Sequence, residues 1–377
     1  MNIKKGMVLL IPSLFLLFSC NKDTINTKET SSPQEKKTIQ EEKIYHIKQP
    51  AKFNISRGLI VKNIDNPLNI QEIENGLMEL STKYFSTNKY YLQEGQYLDE
   101  KIINKWLERK SKNAPYGLNP SIKNSKDTKD MLKNEKETPK ILSHVLEQDF
   151  IDKDGKIAGI SLAISLNEYY QIRVIDDKGA IYTDEVKVDT NNNGVNDVKK
   201  YGKKITPNII RDLKNSKDIP NVPIFITLYQ ESNQSSIIPG IFLAETYISE
   251  DEVKISKWNN INRKYYSFPS DSLYKLDKIS SDILTDLKID IQKYFMNLNP
   301  TVTGRLLYKN NELAKMNVEV NTLSISDTET IALLQFISSQ LDTLALNVPT
   351  TIHIFDNKKE VGIITWNPDT KKIHTHM

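Results

Sequence analysis

Three groups of residues in this chain have types and spacings that could do chemistry. The first is Cys20, the one thiol in 377 residues. It follows Leu17-Phe18-Ser19 in the order leucine, any residue, small residue, cysteine. That order is a lipobox, read by diacylglyceryl transferase and lipoprotein signal peptidase, and it would make a lipidated Cys20 the first residue of the mature chain. The second group is Asp189-Thr190-Asn191-Asn192-Asn193-Gly194-Val195-Asn196-Asp197. Side-chain oxygens at its first, third, fifth and ninth positions around a glycine at the sixth follow the first half of a calcium loop. Asp189, Asn191, Asn193 and Asp197 would be the ligands, with the Val195 carbonyl. Lys200 stands where a bidentate Glu would close the loop, so affinity for Ca2+ would be low; the alternative is an Asn-Gly turn joining two strands. The third group is the histidines. His144 with Glu147 reads as a capped or surface pair on a helix, and His374 with His376 as an alternating pair near the end of the chain.

Conventional catalysis finds little to work with. There is no Gly-x-Ser-x-Gly, His-Glu-x-x-His or phosphate-loop motif, and lipidation of Cys20 would leave no cysteine nucleophile. No cofactor is called for beyond that calcium loop. Removal of residues 1–19 takes Lys4 and Lys5 away and leaves 49 basic against 48 acidic residues, a balance that offers no field for nucleic acid. A single cysteine excludes internal disulfides, so the fold must be held by its core.

The elements follow from periodicity. Lys4 and Lys5, an apolar run from Met7 to Phe18 and the lipobox make residues 1–19 a signal peptide, too short for a comfortable membrane span. Residues 20–44 are a polar stretch without an aromatic residue, expected to be a disordered tether to the bilayer. Ile70, Ile73, Leu77, Leu80 and Tyr84 predict a helix after Asn66-Pro67, and Ile102, Ile103, Trp106 and Leu107 a second from Asp99. Residues 122–139 alternate charges and read as an exposed loop. Ile141, Leu142, Val145 and Leu146 predict a third helix. Ile160, Leu162, Ile164 and Leu166 then alternate as a half-buried strand. Ile209, Ile210 and Leu213 give a helix, Ile224, Ile226 and Leu228 a strand, and Pro239-Gly240 leads into another. The same order of strand, helix, strand, strand recurs with Met316-Val318-Val320, a capping box of Ser326 and Glu329, Ile352-Ile354 and Val361–Trp366. Asn347-Val348-Pro349 echoes Asn221-Val222-Pro223. The expectation is an α+β fold of two related subdomains, 45–250 and 251–377, each with a βαββ-type mixed or antiparallel sheet packed by helices; a tripeptide shared by chance is the alternative.

Several blocks resemble a known family. Arg57-Gly58-Leu59, Gly76-Leu77-Met78-Glu79-Leu80-Ser81, Tyr90-Tyr91-Leu92-Gln93-Glu94-Gly95-Gln96-Tyr97-Leu98, Gly117-Leu118-Asn119-Pro120 and His144-Val145-Leu146-Glu147-Gln148-Asp149 resemble, in order, the CamS family of sex-pheromone lipoprotein precursors. Asn221-Val222-Pro223-Ile224, Lys257-Trp258 and Gly304-Arg305-Leu306-Leu307-Tyr308 extend the resemblance. It implies that the heptapeptide before the lipobox cysteine, Ser13-Leu14-Phe15-Leu16-Leu17-Phe18-Ser19, is trimmed and released to act on bacteria carrying a conjugative plasmid. Ser13, Phe15, Leu17 and Ser19 fit that pattern. Phe18 stands where a small residue is usual, and a misfit there would cost on the order of 1–3 kcal/mol in a receptor pocket. Degradation of the signal peptide without a message is the other reading. The mature domain is expected to be a membrane-anchored binding module on the extracytoplasmic face, with Tyr90, Tyr91, Glu94 and Tyr97 as a candidate groove. The alternatives are a calcium-stabilised structural protein and a cell-envelope hydrolase, which would bring two carboxylates such as Glu94 and Glu147 together in one cavity.

Overall fold

The computed structural model describes residues 45–54, 56–188, 197–343 and 346–377. Cys20, the segment Ser13–Ser19 and the loop residues Asp189, Asn191 and Asn193 lie outside the described residues. The fold is α+β, with two six-stranded mixed sheets.

The first sheet is preceded by α1 (Arg57–Asn63) and α2 (Pro67–Ser81). Asn66 caps α2 through Leu68 N and Pro67 sits at its first turn, which costs no hydrogen bond there. Then come β1 (Tyr91–Glu94), α3 (Glu100–Leu107), α4 (Thr128–Glu137), β2 (Leu142–Ile151) and β3 (Ile157–Leu166). A hairpin of β4 (Tyr169–Ile175) and β5 (Ile181–Lys187) leads to α5 (Val198–Asn215), β6 (Ile224–Gln230), β7 (Ile241–Ile248) and β8 (Asn259–Asn260). The second half runs β9 (Arg263–Phe268), α6 (Asp271–Leu276), α7 (Lys278–Tyr294), β10 (Thr301–Lys309) and β11 (Glu312–Thr322). It ends with α8 (Asp327–Thr343), β12 (Thr350–Asp356), β13 (Lys359–Asn367) and β14 (Lys372–His376).

The strand orders are β1-β2-β3-β6-β7-β8 and β9-β10-β11-β12-β13-β14. In both, only the central pair is parallel, β3 with β6 and β11 with β12, and a helix makes that crossover. The two six-stranded sheets therefore repeat one topology, with the β4–β5 hairpin inserted into the first crossover. The capping box is present, with Ser326 N and Oγ both donating to Glu329 Oε2 at 2.9 and 2.8 Å.

The two sheets are covered differently. The first is packed on both faces: Ile103, Trp106, Ile205 and Ile209 belong to one core, while Ile60, Ile73, Leu77, Phe150 and Phe225 belong to another. The second sheet shares one core with α6, α7 and α8. Burial on both faces corrects the expectation of a half-buried β3, whose alternate serines are buried too; Ser81 Oγ donates to Ser161 Oγ at 2.8 Å.

Two predicted elements differ. Residues 142–146 form the start of β2, not a helix, with Ile141 just before it. A register shift between Leu142 and His144 inserts a bulge, so Leu142 and Val145 reach the same core at a spacing of three, which imitates helical periodicity. His144 and Glu147 thus lie on a strand. Residues 128–137 form α4 rather than loop, capped by Asp127 through Lys129 N and Asp130 N. It buries no residue, so no apolar stripe announces it.

Candidate functional site

A cavity of about 240 Å³ opens where β1 ends and β2 runs on. The helices α1 and α2 wall it. Five consecutive residues of β2, His144 to Gln148, border it. A sheet face offers only alternate residues, so the cavity meets the edge of β2 that β1 leaves uncovered beyond Glu94. Ile60, Met78, Leu92 and Leu146 give it an apolar lining.

The polar groups are few and placed. Glu94 is committed to the wall: Oε1 pairs with Arg57 Nη1 at 2.7 Å and Oε2 accepts from Asn54 N at 2.8 Å. Gln148 donates Nε2 to the Glu74 carbonyl at 2.8 Å, but its buried Oε1 has no partner among the described residues. An orphaned buried acceptor bordering a cavity is a place for a ligand donor. His144 is 2% exposed, and burial drives its pKa down to about 4, so the ring is neutral. Asn63 Nδ2 lies 3.3 Å from its Nδ1; if the amide donates there, the ring proton sits on Nε2. Burial raises the pKa of Glu74, partly offset by Arg57.

Glu94 and Glu147 both border this cavity, yet their carboxylates do not converge. Glu94 pairs with Gln148 across the sheet, so those side chains share a face, while Glu147 and Asp149 point to the other. There Glu147 accepts from Tyr97 N at 3.1 Å and Leu98 N at 2.7 Å, and Asp149 accepts from Gln96 N at 3.0 Å. The two carboxyls lie against each other; burial raises both pKa values, the Glu147 charge adds to the rise at Asp149, and the hydrogen bond from Asp149 holds Glu147 down. Asp149 Oδ1 lacks a partner only if it is ionised; a proton there donates to Glu147. This carboxyl pair clamps three successive amides after Gly95, where an added Cβ would lie 2.5 Å from Glu147 atoms. It ties the block 90–98 to the block 144–149.

The remaining predicted residues separate. Tyr90 packs edge-on against Phe85, whereas Tyr97 packs on the opposite core, so of Tyr90, Tyr91, Glu94 and Tyr97 only Glu94 borders the cavity. Asp197 caps α5 through Lys200 N at 3.0 Å, and the 189–196 segment joins β5 to α5 rather than two strands. His374 and His376 lie on the edge strand β14. Sequence reasoning missed Gln148 as an orphan and Asn119 as a hub; Asn119 Oδ1 accepts from Ile141 N and Leu142 N, and its Nδ2 donates to the Leu107 and Leu142 carbonyls. Their presence in the family-like blocks was the available signal. No helix among the described residues is long and apolar enough to cross a membrane.

Comparison with known proteins agrees with this frame. No curated protein matches the chain. The crystal structure of a sex pheromone precursor from Lactobacillus salivarius subsp. salivarius UCC118 superposes with a TM-score of 0.73 at 27% identity, covering 86% of this chain and 92% of its own. The C-terminal domain of the sex pheromone staph-cAM373 precursor from Staphylococcus aureus gives 0.68 at 27% identity, covering 84% of this chain and 98% of its own. The family model described as CamS sex pheromone cAM373 precursor matches residues 52–372, and the chain belongs to that family.

Proposed function

We propose that this chain is processed at Cys20 into a lipid-anchored protein on the extracytoplasmic face of the cell membrane. In this reading Ser13–Ser19 is released as a pheromone-like heptapeptide, and the folded domain binds a small apolar ligand in the cavity at the end of β1. Transferase and peptidase act on the lipobox, and two acyl chains hold the product stably in the bilayer, where one would be marginal.

One observation carries the binding role. Four separate family-like blocks, containing Arg57, Met78, Glu94 and Gln148, each contribute to the wall of the same cavity. A volume of about 240 Å³ lies just under the usual range for drug-sized ligands, so it suits a compact group with an apolar body and one hydrogen-bond donor for Gln148 Oε1. The carboxylates of Glu94 and Glu147 face apart, and Glu94, which neighbours Glu74 in the cavity wall, is already engaged by Arg57 and Asn54 N, which supports a binder over a hydrolase.

Methyl NMR on the chain from residue 20 onward, with Cys20→Ser and labelled methionines, tests this. Met78 borders the cavity and Met316 sits in the second core. Titration with leucinamide should move the Met78 methyl and leave Met316 in place; no shift at Met78, or equal shifts at both, would overturn the proposal.

A further inference from the structure

A second cavity of about 250 Å³ shares no bordering residue with the first. Its wall is polar, and at its back stands Glu231, placed directly after β6 and 7% exposed. Ser165 Oγ donates to Glu231 Oε1 at 2.6 Å and Ser143 Oγ donates to the same oxygen. Oε2 takes no hydrogen bond among the described residues. Two serines thus hold one oxygen from behind, while the other has no protein partner among the described residues and belongs to a residue that borders the cleft, open to a ligand hydroxyl.

We infer that this cleft is a second ligand site, which takes a saccharide or a similar polyol through Glu231 Oε2. The rest of the wall fits that class. Asn167 spends its Nδ2 on the Lys140 carbonyl and leaves its Oδ1 unbonded, and Tyr169 supplies a ring beside the cleft. Lys62 and Lys140 are offset by Asp65 and Glu185, which leaves Glu231 as the one uncompensated acid of the wall and gives an anion no attraction there. Burial lifts the Glu231 carboxyl to about 7, against the two serine donors and with Asp65 adding to the rise. Near neutrality it can accept a hydrogen bond or donate one, and a hydroxyl group does both.

Saturation-transfer difference NMR on the mature chain, using N-acetylglucosamine, glucose and ethanolamine separately at millimolar concentration, tests the inference. Signals from at least one saccharide should be saturated, and Glu231→Gln should weaken its affinity at least tenfold. Should Glu231→Gln fail to fold, the exposed Asp65→Ala provides the second reading and should weaken binding severalfold. Saccharide binding unchanged in the variant that folds, no binding of either saccharide, or binding of ethanolamine alone would each overturn it. None of these outcomes depends on the first cavity.

Discussion

Two buried titrations should be visible in stability. The unfolded chain protonates His144 near pH 6.5, whereas the folded chain resists until about 4, so the unfolded state binds more protons between those values. Stability is therefore full above 6.5 and falls as pH drops through that window, by on the order of 3 kcal/mol. Glu231 acts in the opposite sense: its folded pKa of about 7 lies above the ordinary 4.5, so the unfolded state sheds the proton first and stability falls as pH rises from 4.5 to 7. Comparing His144→Gln with the parent in urea separates them; the variant should lose less stability on acidification from pH 7 to 4.5. A second prediction concerns the carboxyl pair. Asp149→Asn keeps a donor toward Glu147 and an acceptor for Gln96 N, so it should cost under about 1 kcal/mol, whereas Glu147→Ala leaves the Tyr97 and Leu98 amides unpaired at about 1–3 kcal/mol each. Equal costs in urea unfolding would refute the shared-proton arrangement. The residue types of this clamp were readable in the blocks 90–98 and 144–149, but their partnership was not. It depends on the β1–β2 register, which sequence spacing does not encode.

At the scale of elements, the sequence was legible wherever one face is buried. The stripes of α2, α3, α5 and α8 and the alternation of β11 and β12 follow that rule, and β6 was read from Ile224, Ile226 and Leu228 although both its faces are buried. It failed at β2, where burial on both faces and a bulge hide the period of two, and at α4, where nothing is buried. The cavity was hidden for a related reason: it lies at an uncovered strand edge, and the sequence does not say where β1 stops. The two N-caps should behave differently. Asp127→Ala should remove hydrogen-exchange protection across α4 with a global cost of about 1 kcal/mol or less, since the helix contributes no buried side chain. Asn66→Ala should cost more, because the buried Nδ2 also donates to the Asn233 and Ser236 carbonyls at 2.9 and 3.1 Å. Loss of protection spreading beyond α4 in Asp127→Ala would show that the helix is integral to the fold.

At the scale of the molecule, the repeated halves are joined through Arg263 at the start of β9. Its Nε pairs with Glu72 at 2.7 Å and its Nη1 with Glu79 at 2.8 Å, both on α2, while Tyr265 donates to Glu72 Oε2 at 2.5 Å. Arg263→Met leaves a buried carboxylate on α2 and should cost about 3–5 kcal/mol, of which Glu72→Met in the same chain should restore most; a double variant no better than the single would contradict that origin. The repeat itself was foreshadowed by Asn221-Val222-Pro223 and Asn347-Val348-Pro349, which precede the equivalent strands β6 and β12. The account as a whole stands on the chain being a precursor with two products. Mass spectrometry of the culture supernatant and the membrane fraction from cells making the full chain addresses both at once. The account predicts free Ser-Leu-Phe-Leu-Leu-Phe-Ser in the supernatant and a chain beginning at lipidated Cys20 in the membrane. Abundant lipidated chain with no free heptapeptide would contradict the precursor role, and a chain cleaved elsewhere or left uncleaved would contradict the lipobox reading as well.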